Sequence, residues 1–216
     1  MLKAIIFDMD GVLINSTKYI HEAHNSLLKK SGIKIDEKET KRCLGLSLRD
    51  KLLRWKKEYG LVYELKDFAA RSAEIQFKLM QKEFKKDKEL RRFLSEVKKN
   101  NIKLAIGTGS GRLRAEMILK AMDIRKYLDV IVTADEVENH KPHPDIFLKA
   151  AKKLGVNPKD CVVFEDAADG VSAAKKGKMK AVAMKTVYAT NKELKDADLI
   201  IKGYKDIDVE KLKRLW

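Results

Sequence analysis

Six short apolar segments, each ending in a polar or glycine-containing loop, constrain the fold of this chain more than any other feature. They span residues 3–7, 103–107, 130–133, 161–164, 181–184 and 199–201. Continuous runs of Val, Ile, Ala and Phe are typical of strands that are buried on both faces, as in a parallel sheet. Helical patterns follow most of these segments. Alternating strands and helices predict an α/β fold, a Rossmann-like core with a doubly wound parallel sheet.

One interval breaks the alternation of strands and helices. About ninety residues separate the first two apolar segments, and they contain amphipathic helical stripes near residues 19–28 and 69–84. A structureless loop of that length does not suit a compact domain. We therefore predict an all-helical unit over residues 16–86, inserted into a core that is formed by residues 1–15 and 87–216.

The charge of the chain is strongly positive, with a formal net charge of +15. Basic proteins often bind nucleic acid, so a nucleic-acid-binding protein is one alternative from another functional class. However, 37 of the 47 cations are Lys, the excess is spread along the chain, and no recognised binding module is present. Phosphate clamps and base readout favour Arg, so we interpret the excess as a solvated surface. Abundant Lys and Glu with only two Gln is typical of heat-adapted proteins.

The sequence predicts a cytoplasmic protein. The first residues enter a strand pattern directly and lack the features of a secretory signal. No apolar run approaches the ~20 residues that are needed to span a bilayer. Cys43 and Cys161 are too few for a disulfide scaffold, and we expect both to be reduced thiols. These observations argue against a membrane partner and leave the oligomeric state open.

Chemically reactive side chains follow the first four predicted strands. They comprise four carboxylates, one hydroxyl and one amine: Asp8, Asp10, Thr108, Lys141, Glu165 and Asp166. Ligands of open α/β sheets bind beyond the carboxyl ends of the strands, so we expect these side chains to converge. Clustered carboxylates repel one another, and a hard cation such as Mg²⁺ relieves that repulsion. A crevice with this cation and an amine suits phosphoryl transfer.

The order of these residues resembles the four motifs of the haloacid dehalogenase-like hydrolase superfamily. The segment Asp-Met-Asp-Gly-Val-Leu at 8–13 resembles the first motif, and Thr108 resembles the second. Lys141 resembles the third, and Phe-Glu-Asp at 164–166 resembles the fourth. Together the motifs cover essentially the whole chain. Receivers that carry a phosphoaspartate combine similar residues, but they are about half as long and lack an Asp two positions after the acceptor.

The resemblance implies the roles of four catalytic residues. Asp8 would attack phosphorus and form a phosphoaspartate. Asp10 would protonate the leaving oxygen and then deprotonate the attacking water. Thr108 would hydrogen-bond the phosphoryl group, and Lys141 would hold Asp8 and the phosphate in place. The dehalogenases of the superfamily lack the second aspartate, so its presence favours phosphate chemistry.

The resemblance also implies a Mg²⁺ site. Its ligands would be the side chains of Asp8 and Asp166 and the backbone carbonyl of Asp10. Glu165 would be either a further ligand or a residue that positions one. Asp169 is a third acid nearby, and its spacing favours the N-cap of a helix over a metal role.

The helical insertion lies between the first and second motifs, as the C1-type cap does in this superfamily. Such caps close over the core, exclude water and select the substrate, which suits a small phosphorylated metabolite. At the end of the second strand, Gly109 and Ser110 would join Thr108 and Lys141 in binding its phosphate.

Within the superfamily, the chain resembles the branch of phosphoglycolate phosphatase and β-phosphoglucomutase. Mutases of this branch grip a second phosphate with a cap Arg that follows Gly-x-Ser, and with a cap Lys. Here Leu48 takes the Arg position and Ser72 the Lys position, while Arg49 lies one residue later and is a candidate substrate contact. We therefore expect a Mg²⁺-dependent phosphatase, with a sugar-phosphate mutase as the alternative.

Overall fold

The computed structural model describes residues 1–36, 39, 42–43, 46, 48–81, 84, 87–187 and 189–216. The chain forms two compact units. The core unit comprises Met1–Asn15 and Phe84–Trp216, and the helical unit comprises Ser16–Glu83. The boundary that the sequence predicts at residue 86 lies outside the described residues.

The secondary structure consists of short strands and helices of up to sixteen residues. The strands are β1 Ala4–Phe7, β2 Lys103–Thr108, β3 Val130–Thr133, β4 Cys161–Glu165, β5 Lys180–Met184 and β6 Leu199–Ile201. The α-helices with described bounds are α1 Thr17–Lys29, α2 Leu48–Tyr59, α3 Leu65–Met80, α4 Lys88–Lys99, α5 Arg112–Ala121, α6 Asp145–Leu154, α7 Ala168–Lys176 and α8 Val209–Lys213.

All six strands of the core unit form one sheet with the order β3-β2-β1-β4-β5-β6. Every pairing is parallel, and Phe7 at the end of β1 lies beside Ile106 on one side and Phe164 on the other. The prediction of a doubly wound parallel sheet is therefore confirmed. The strand order reverses at β1, and ligands of such sheets bind at this switch point.

Apolar side chains fill both faces of this sheet, which explains the continuous apolar runs. On one face, Ile6 belongs to the same buried cluster as Phe147 of α6. On the other face, the ring of Phe7 lies 5.0 Å from that of Phe164 and 6.4 Å from that of Phe93 in α4. This packing fixes the carboxyl end of β1 between its neighbours.

Local signals set the ends of the helices in the core unit. The Asp87 side chain accepts a hydrogen bond from the Leu90 N–H at 2.8 Å, and α4 begins there. Gly155 adopts φ of 65° directly after α6, which ends the helix in the left-handed conformation that glycine tolerates best.

The helical unit has its own apolar core, built from α1, α2, α3 and the segments between them. Its centre is aromatic: the Trp55 ring lies 6.0 Å from the Phe68 ring, and the buried His24 ring lies within 5.5 Å of both. In the described part of the chain, no helix is long and apolar enough to cross a membrane.

Candidate active site

The loop after β1 places Asp8 at the centre of the sheet edge. The Asp8 N–H donates to the Phe164 carbonyl of β4 at 2.8 Å, and the Gly11 N–H donates to the Ile14 carbonyl at 2.8 Å. Gly11 has φ of 81°, and a Cβ there would lie 1.9 Å from the Asp166 Oδ2 atom. Glycine is therefore required at this position, because it lets the Asp166 carboxyl lie directly against the loop.

Lys141 joins two of the predicted acids. Its Nζ atom donates to Asp8 Oδ1 at 2.5 Å and to Glu165 Oε1 at 2.6 Å. The ammonium also lies 4.8 Å from the centroid of the Phe147 ring. All three charged groups are largely buried, so their attraction is only weakly screened by water. The ends of β1 and β4 and the segment after β3 therefore meet in one cluster.

The Glu165 carboxylate is held by several hydrogen bonds at once. Besides Lys141, it accepts the N–H groups of Asp166 at 2.8 Å and Ala167 at 3.1 Å through Oε2. Gly170 makes room for it, because a Cβ there would lie 1.9 Å from the Glu165 Cδ atom. A carboxylate that is engaged on both oxygens is better suited to positioning its neighbours than to binding a metal ion directly.

Two acids of this cluster, Asp8 and Asp166, have a raised pKa. Burial, reinforced by the charge of Glu165, raises the pKa of Asp166 to about 9. Burial also raises the pKa of Asp8 to about 7, although Lys141 partly opposes that rise. For Lys141 itself, burial disfavours the ammonium, but the carboxylates of Asp8 and Glu165 outweigh burial and raise its pKa. The buried negative charge thus exceeds what Lys141 balances.

A cation would bind beside these buried carboxylates, because their negative charge exceeds the positive charge of Lys141. Among the described residues, no three His, Cys, Asp or Glu side chains are close enough to hold a metal ion between them. Mg²⁺ needs fewer, because it keeps several waters and is bound through one or two carboxylates. The side chains of Asp8 and Asp166 fit that requirement, and Asp166 forms no ion pair within the described part of the chain.

The end of β2 contributes the hydroxyl groups of the site. Thr108 is buried, and its Oγ1 atom accepts the Ser110 N–H at 3.1 Å. The Ser110 Oγ atom donates to Asp10 Oδ2 at 2.8 Å. A side chain at Gly109 would meet nothing within 4 Å, so the backbone is open at this point. The structure therefore brings Thr108, Gly109 and Ser110 to the loop that carries Asp10.

Sequence reasoning missed one residue of this cluster, Arg114. Its Nη1 atom donates to Asp10 Oδ2 and its Nη2 atom to Asp10 Oδ1, both at 2.7 Å. Arg114 lies in the first turn of α5, four residues after Ser110. That spacing could have identified it, because side chains four residues apart share one face and this helix starts at the carboxyl end of β2.

The candidate residues of the helical unit do not form a comparable cluster. Arg49 is exposed on α2, and Leu48 is partly buried at the start of that helix. Ser72 is buried and accepts a hydrogen bond from Gln76 Nε2 at 2.7 Å. The other two residues of the Gly-x-Ser pattern, Gly45 and Ser47, lie outside the described residues.

The prediction that Asp169 caps a helix is wrong. The N-cap residue of α7 is Ala167, and Asp169 lies in the first turn with its side chain exposed. An acid in the first turn interacts favourably with the helix dipole, which explains why the sequence pattern resembles a cap.

Comparison with known protein families identifies this chain as a member of the haloacid dehalogenase-like hydrolases. The family model matches residues 5–184, which include the end of β1 with Asp8 and the end of β4 with Glu165 and Asp166. The family resemblance that the motifs indicate is therefore confirmed.

Two curated relatives match nearly the whole chain. A phosphorylated carbohydrates phosphatase from Thermotoga maritima is 31% identical over 94% of this chain and 91% of the relative. A β-phosphoglucomutase from Bacillus subtilis is also 31% identical, over 100% of this chain and 96% of the relative. The crystal structure of a β-phosphoglucomutase from Clostridium difficile matches with a TM-score of 0.85 and 29% identity, covering 100% and 97% of the two chains.

Proposed function

We propose that this protein is a Mg²⁺-dependent phosphatase that hydrolyses monoesters of small phosphorylated metabolites through a phosphoaspartate on Asp8. The observation that carries the proposal is the contact of the Lys141 ammonium with Asp8 at 2.5 Å. This contact lies in a cluster of buried carboxylates whose negative charge exceeds the positive charge of Lys141. A carboxylate nucleophile beside a fixed cation suits attack on a phosphate dianion, where neutralising charge does most of the catalysis.

In the first half of the proposed reaction, an oxygen of Asp8 attacks phosphorus and the bond to the leaving oxygen breaks. Asp10 gives a proton to that oxygen, so the product leaves as an alcohol. Lys141 neutralises the charge that moves from Asp8 to the phosphoryl group. The Thr108 hydroxyl and the backbone at Gly109 and Ser110 orient the phosphoryl oxygens.

In the second half, water attacks the phosphorus of the phosphoaspartate and the bond to the Asp8 oxygen breaks. Asp10 takes the proton of that water, and inorganic phosphate leaves. Asp8 and Asp166, with the backbone carbonyl of Asp10, would hold the Mg²⁺ ion. When bound, the ion would supply the positive charge that the acid cluster lacks. Glu165 would keep Lys141 and the backbone at 166–167 in place.

Hydrolysis is favoured over the mutase reaction by the residues of the helical unit. A mutase of this branch uses a Lys where this chain has Ser72, and Ser72 is buried and bonded to Gln76. The substrate class follows the phosphorylated carbohydrates named for the Thermotoga relative. We also propose a cytoplasmic setting, since Cys43 and Cys161 are both free and buried.

The test is the Asp8→Asn variant, assayed with p-nitrophenyl phosphate in the presence and absence of Mg²⁺. We expect Mg²⁺-dependent release of phosphate by the wild type and a loss of at least about 10³-fold in the variant. A matched control is Asp160→Asn. Asp160 forms an ion pair with Lys3 and lies directly before β4, so it is at the opposite end of that strand from Glu165. Substantial turnover by Asp8→Asn would exclude Asp8 as the nucleophile.

A second assay separates the two reactions of the family branch. Glucose 1-phosphate and glucose 6-phosphate are each incubated with the wild type and Mg²⁺, and both free phosphate and sugar isomers are measured. We expect free phosphate from at least one phosphorylated sugar in a wider panel. Interconversion of the two glucose phosphates without net release of phosphate would favour the mutase.

A further inference from the structure

The Asp10 carboxylate is gripped from one side by a planar guanidinium. Arg114 reaches both of its oxygens at 2.7 Å, and Ser110 Oγ lies 2.8 Å from Oδ2 and 2.5 Å from Arg114 Nη1. The side chains of Arg114 and Asp10 are only 13% and 22% exposed, so water screens the contact weakly. Asp10, Ser110 and Arg114 thus form one closed hydrogen-bonded triangle.

The fold brings the three residues of this triangle together. Asp10 lies in the loop after β1, while Ser110 and Arg114 follow β2, and these two strands are neighbours in the sheet. Gly111 is the N-cap of α5 in an extended conformation, so the helix starts at Arg112, two residues after Ser110, and Arg114 lies in its first turn. Ser110 is itself tied to Thr108 through its N–H.

The bidentate contact of Arg114 with Asp10 does more than supply a positive charge. A bidentate guanidinium fixes both the position and the plane of a carboxylate, whereas a Lys ammonium acts as a point charge. General acid–base catalysis depends on this placement, because the carboxyl oxygen must lie within hydrogen-bond reach of the proton that it transfers. A displacement of about 1 Å can cost a reaction about 10²-fold.

We propose that Arg114 is a positioning residue for Asp10, which sets the carboxylate in place for its proton transfers. This inference rests on the proposed function, in which Asp10 serves the leaving oxygen and the attacking water in turn. Arg114 acts through Asp10 and makes no bond to the substrate. The proposal therefore predicts that its contribution to catalysis disappears when Asp10 has no carboxylate.

The experiment is a double-mutant cycle on kcat with four proteins: wild type, Arg114→Met, Asp10→Ala and the double variant. The substrate is p-nitrophenyl phosphate with Mg²⁺, whose good leaving group keeps the slow variants measurable. We expect Arg114→Met to lower kcat by about 10- to 100-fold in the wild-type background and to have no further effect in the Asp10→Ala background. Arg114→Lys should recover part of the loss.

A second measurement identifies which step of the reaction is slowed in Arg114→Met. With p-nitrophenyl phosphate the leaving oxygen needs no proton, so only the step that activates water still depends on Asp10. We therefore expect a pre-steady-state burst of p-nitrophenolate in Arg114→Met, because phosphoaspartate accumulates. A matched control is Arg112→Met on the same helix, since Arg112 pairs with Glu136, which lies outside the cluster. This control should turn over at the wild-type rate.

Several results would overturn the proposal. They are an equal loss from Arg114→Met in both backgrounds, a rise in kcat, or no change. Melting temperatures of the same four proteins, without substrate, show whether a variant has merely lost stability. Coupling between Asp10 and Arg114 in the melting temperatures but not in kcat would mean that the pair is structural, and would also overturn the proposal. Turnover by Asp8→Asn counts against the proposed function instead, and is measured separately.

Discussion

The two units of this chain bury carboxylates in different ways. In the helical unit, the buried Glu39 carboxylate accepts from Arg54 Nε at 2.7 Å and from Arg54 Nη2 at 3.1 Å. In the core unit, Asp8 and Glu165 share the ammonium of Lys141, and Asp166 lies against the same loop.

The pKa shifts have opposite signs in the two places. The hydrogen bonds from Arg54 lower the pKa of Glu39, so its ionised form is favoured by folding. Burial raises the pKa of Asp8 and Asp166, so their ionised forms oppose folding. A buried carboxylate that is paired with its own cation stabilises the fold. A cluster in which buried acids carry more charge than the nearby cation lowers stability, and such clusters are typical of functional sites.

The largest effect is expected from Asp166→Asn, which tests this difference between the carboxylates of the two units. The variant should lose about 10²- to 10³-fold of its Mg²⁺-dependent turnover, because a carboxylate that would hold the cation is gone. Without metal it should nevertheless be more stable, by about 1 kcal/mol or roughly 2 to 4 °C in melting temperature. The reason is that an amide neither brings a charge into the buried cluster nor has to take up a proton on folding, whereas the Asp166 carboxyl must do one or the other.

The same substitution should also change how the free energy of unfolding depends on pH. The pKa of Asp166 is raised from 3.8 to about 9, so the folded state holds its proton more tightly than the unfolded state. Its contribution to stability is therefore present below about pH 4 and is lost as the pH rises to about 9. Calorimetry of metal-free protein from pH 5 to 9 should show a steeper decline for the wild type than for Asp166→Asn. A variant that melts below the wild type throughout this range would contradict the interpretation.

The opposite result is expected for Glu39→Gln in the helical unit. Removing this carboxylate leaves the partly buried Arg54 guanidinium with Glu58, at 2.9 Å, as its remaining acidic partner. We expect a loss of about 1 to 3 kcal/mol in the free energy of unfolding, because the buried hydrogen bonds from Arg54 to Glu39 are lost or weakened. The pKa of Glu39 is lowered from 4.5, so its contribution is present above about pH 4.5 and is lost as the pH falls through its folded-state pKa. The difference between variant and wild type should therefore shrink in acid.

Urea unfolding at pH 7 and in acid measures this difference. The matched control is Glu74→Gln, because Glu74 pairs with Lys78 at 2.8 Å on an exposed face of the same unit. Exposed pairs contribute little, so the control should unfold like the wild type. Equal effects of the two substitutions would show that burial of Glu39 does not matter.

The smallest expected effect concerns the two thiols, one in each unit. Burial raises the pKa of Cys161 to about 12 and also raises the pKa of Cys43, so both should react slowly with a thiol reagent at pH 8. In rising urea, Cys43 should react first, because the smaller helical unit buries less apolar surface. Mass spectrometry of peptides identifies the labelled thiol. Simultaneous labelling would indicate that the two units unfold together.

Much of the core unit could be predicted from the sequence. The six apolar runs coincide with β1 to β6 to within one residue at each end, since strands buried on both faces leave a continuous apolar signal. The meeting of Asp8, Lys141 and Glu165 also follows from the sequence, because parallel strands end at one edge of their sheet.

Other features required the tertiary structure. The sequence shows four acids near one crevice, but it does not show that Glu165 is engaged by Lys141 and by two backbone N–H groups. The cap role expected of Asp169 failed because a cap and a first-turn position differ by two residues, which is within the error of any helix boundary.

The sequence by itself determined the parallel sheet, the inserted helical unit and the family, because these depend on periodicity and on the order of motifs. Only the tertiary structure decided the partners of the individual charges. Arg114 and Asp10 are 104 positions apart, and Arg54 and Glu39 are 15 apart. Such pairs depend on which side chains of separate segments reach the same place with matching geometry, and neither periodicity nor spacing along the chain records that.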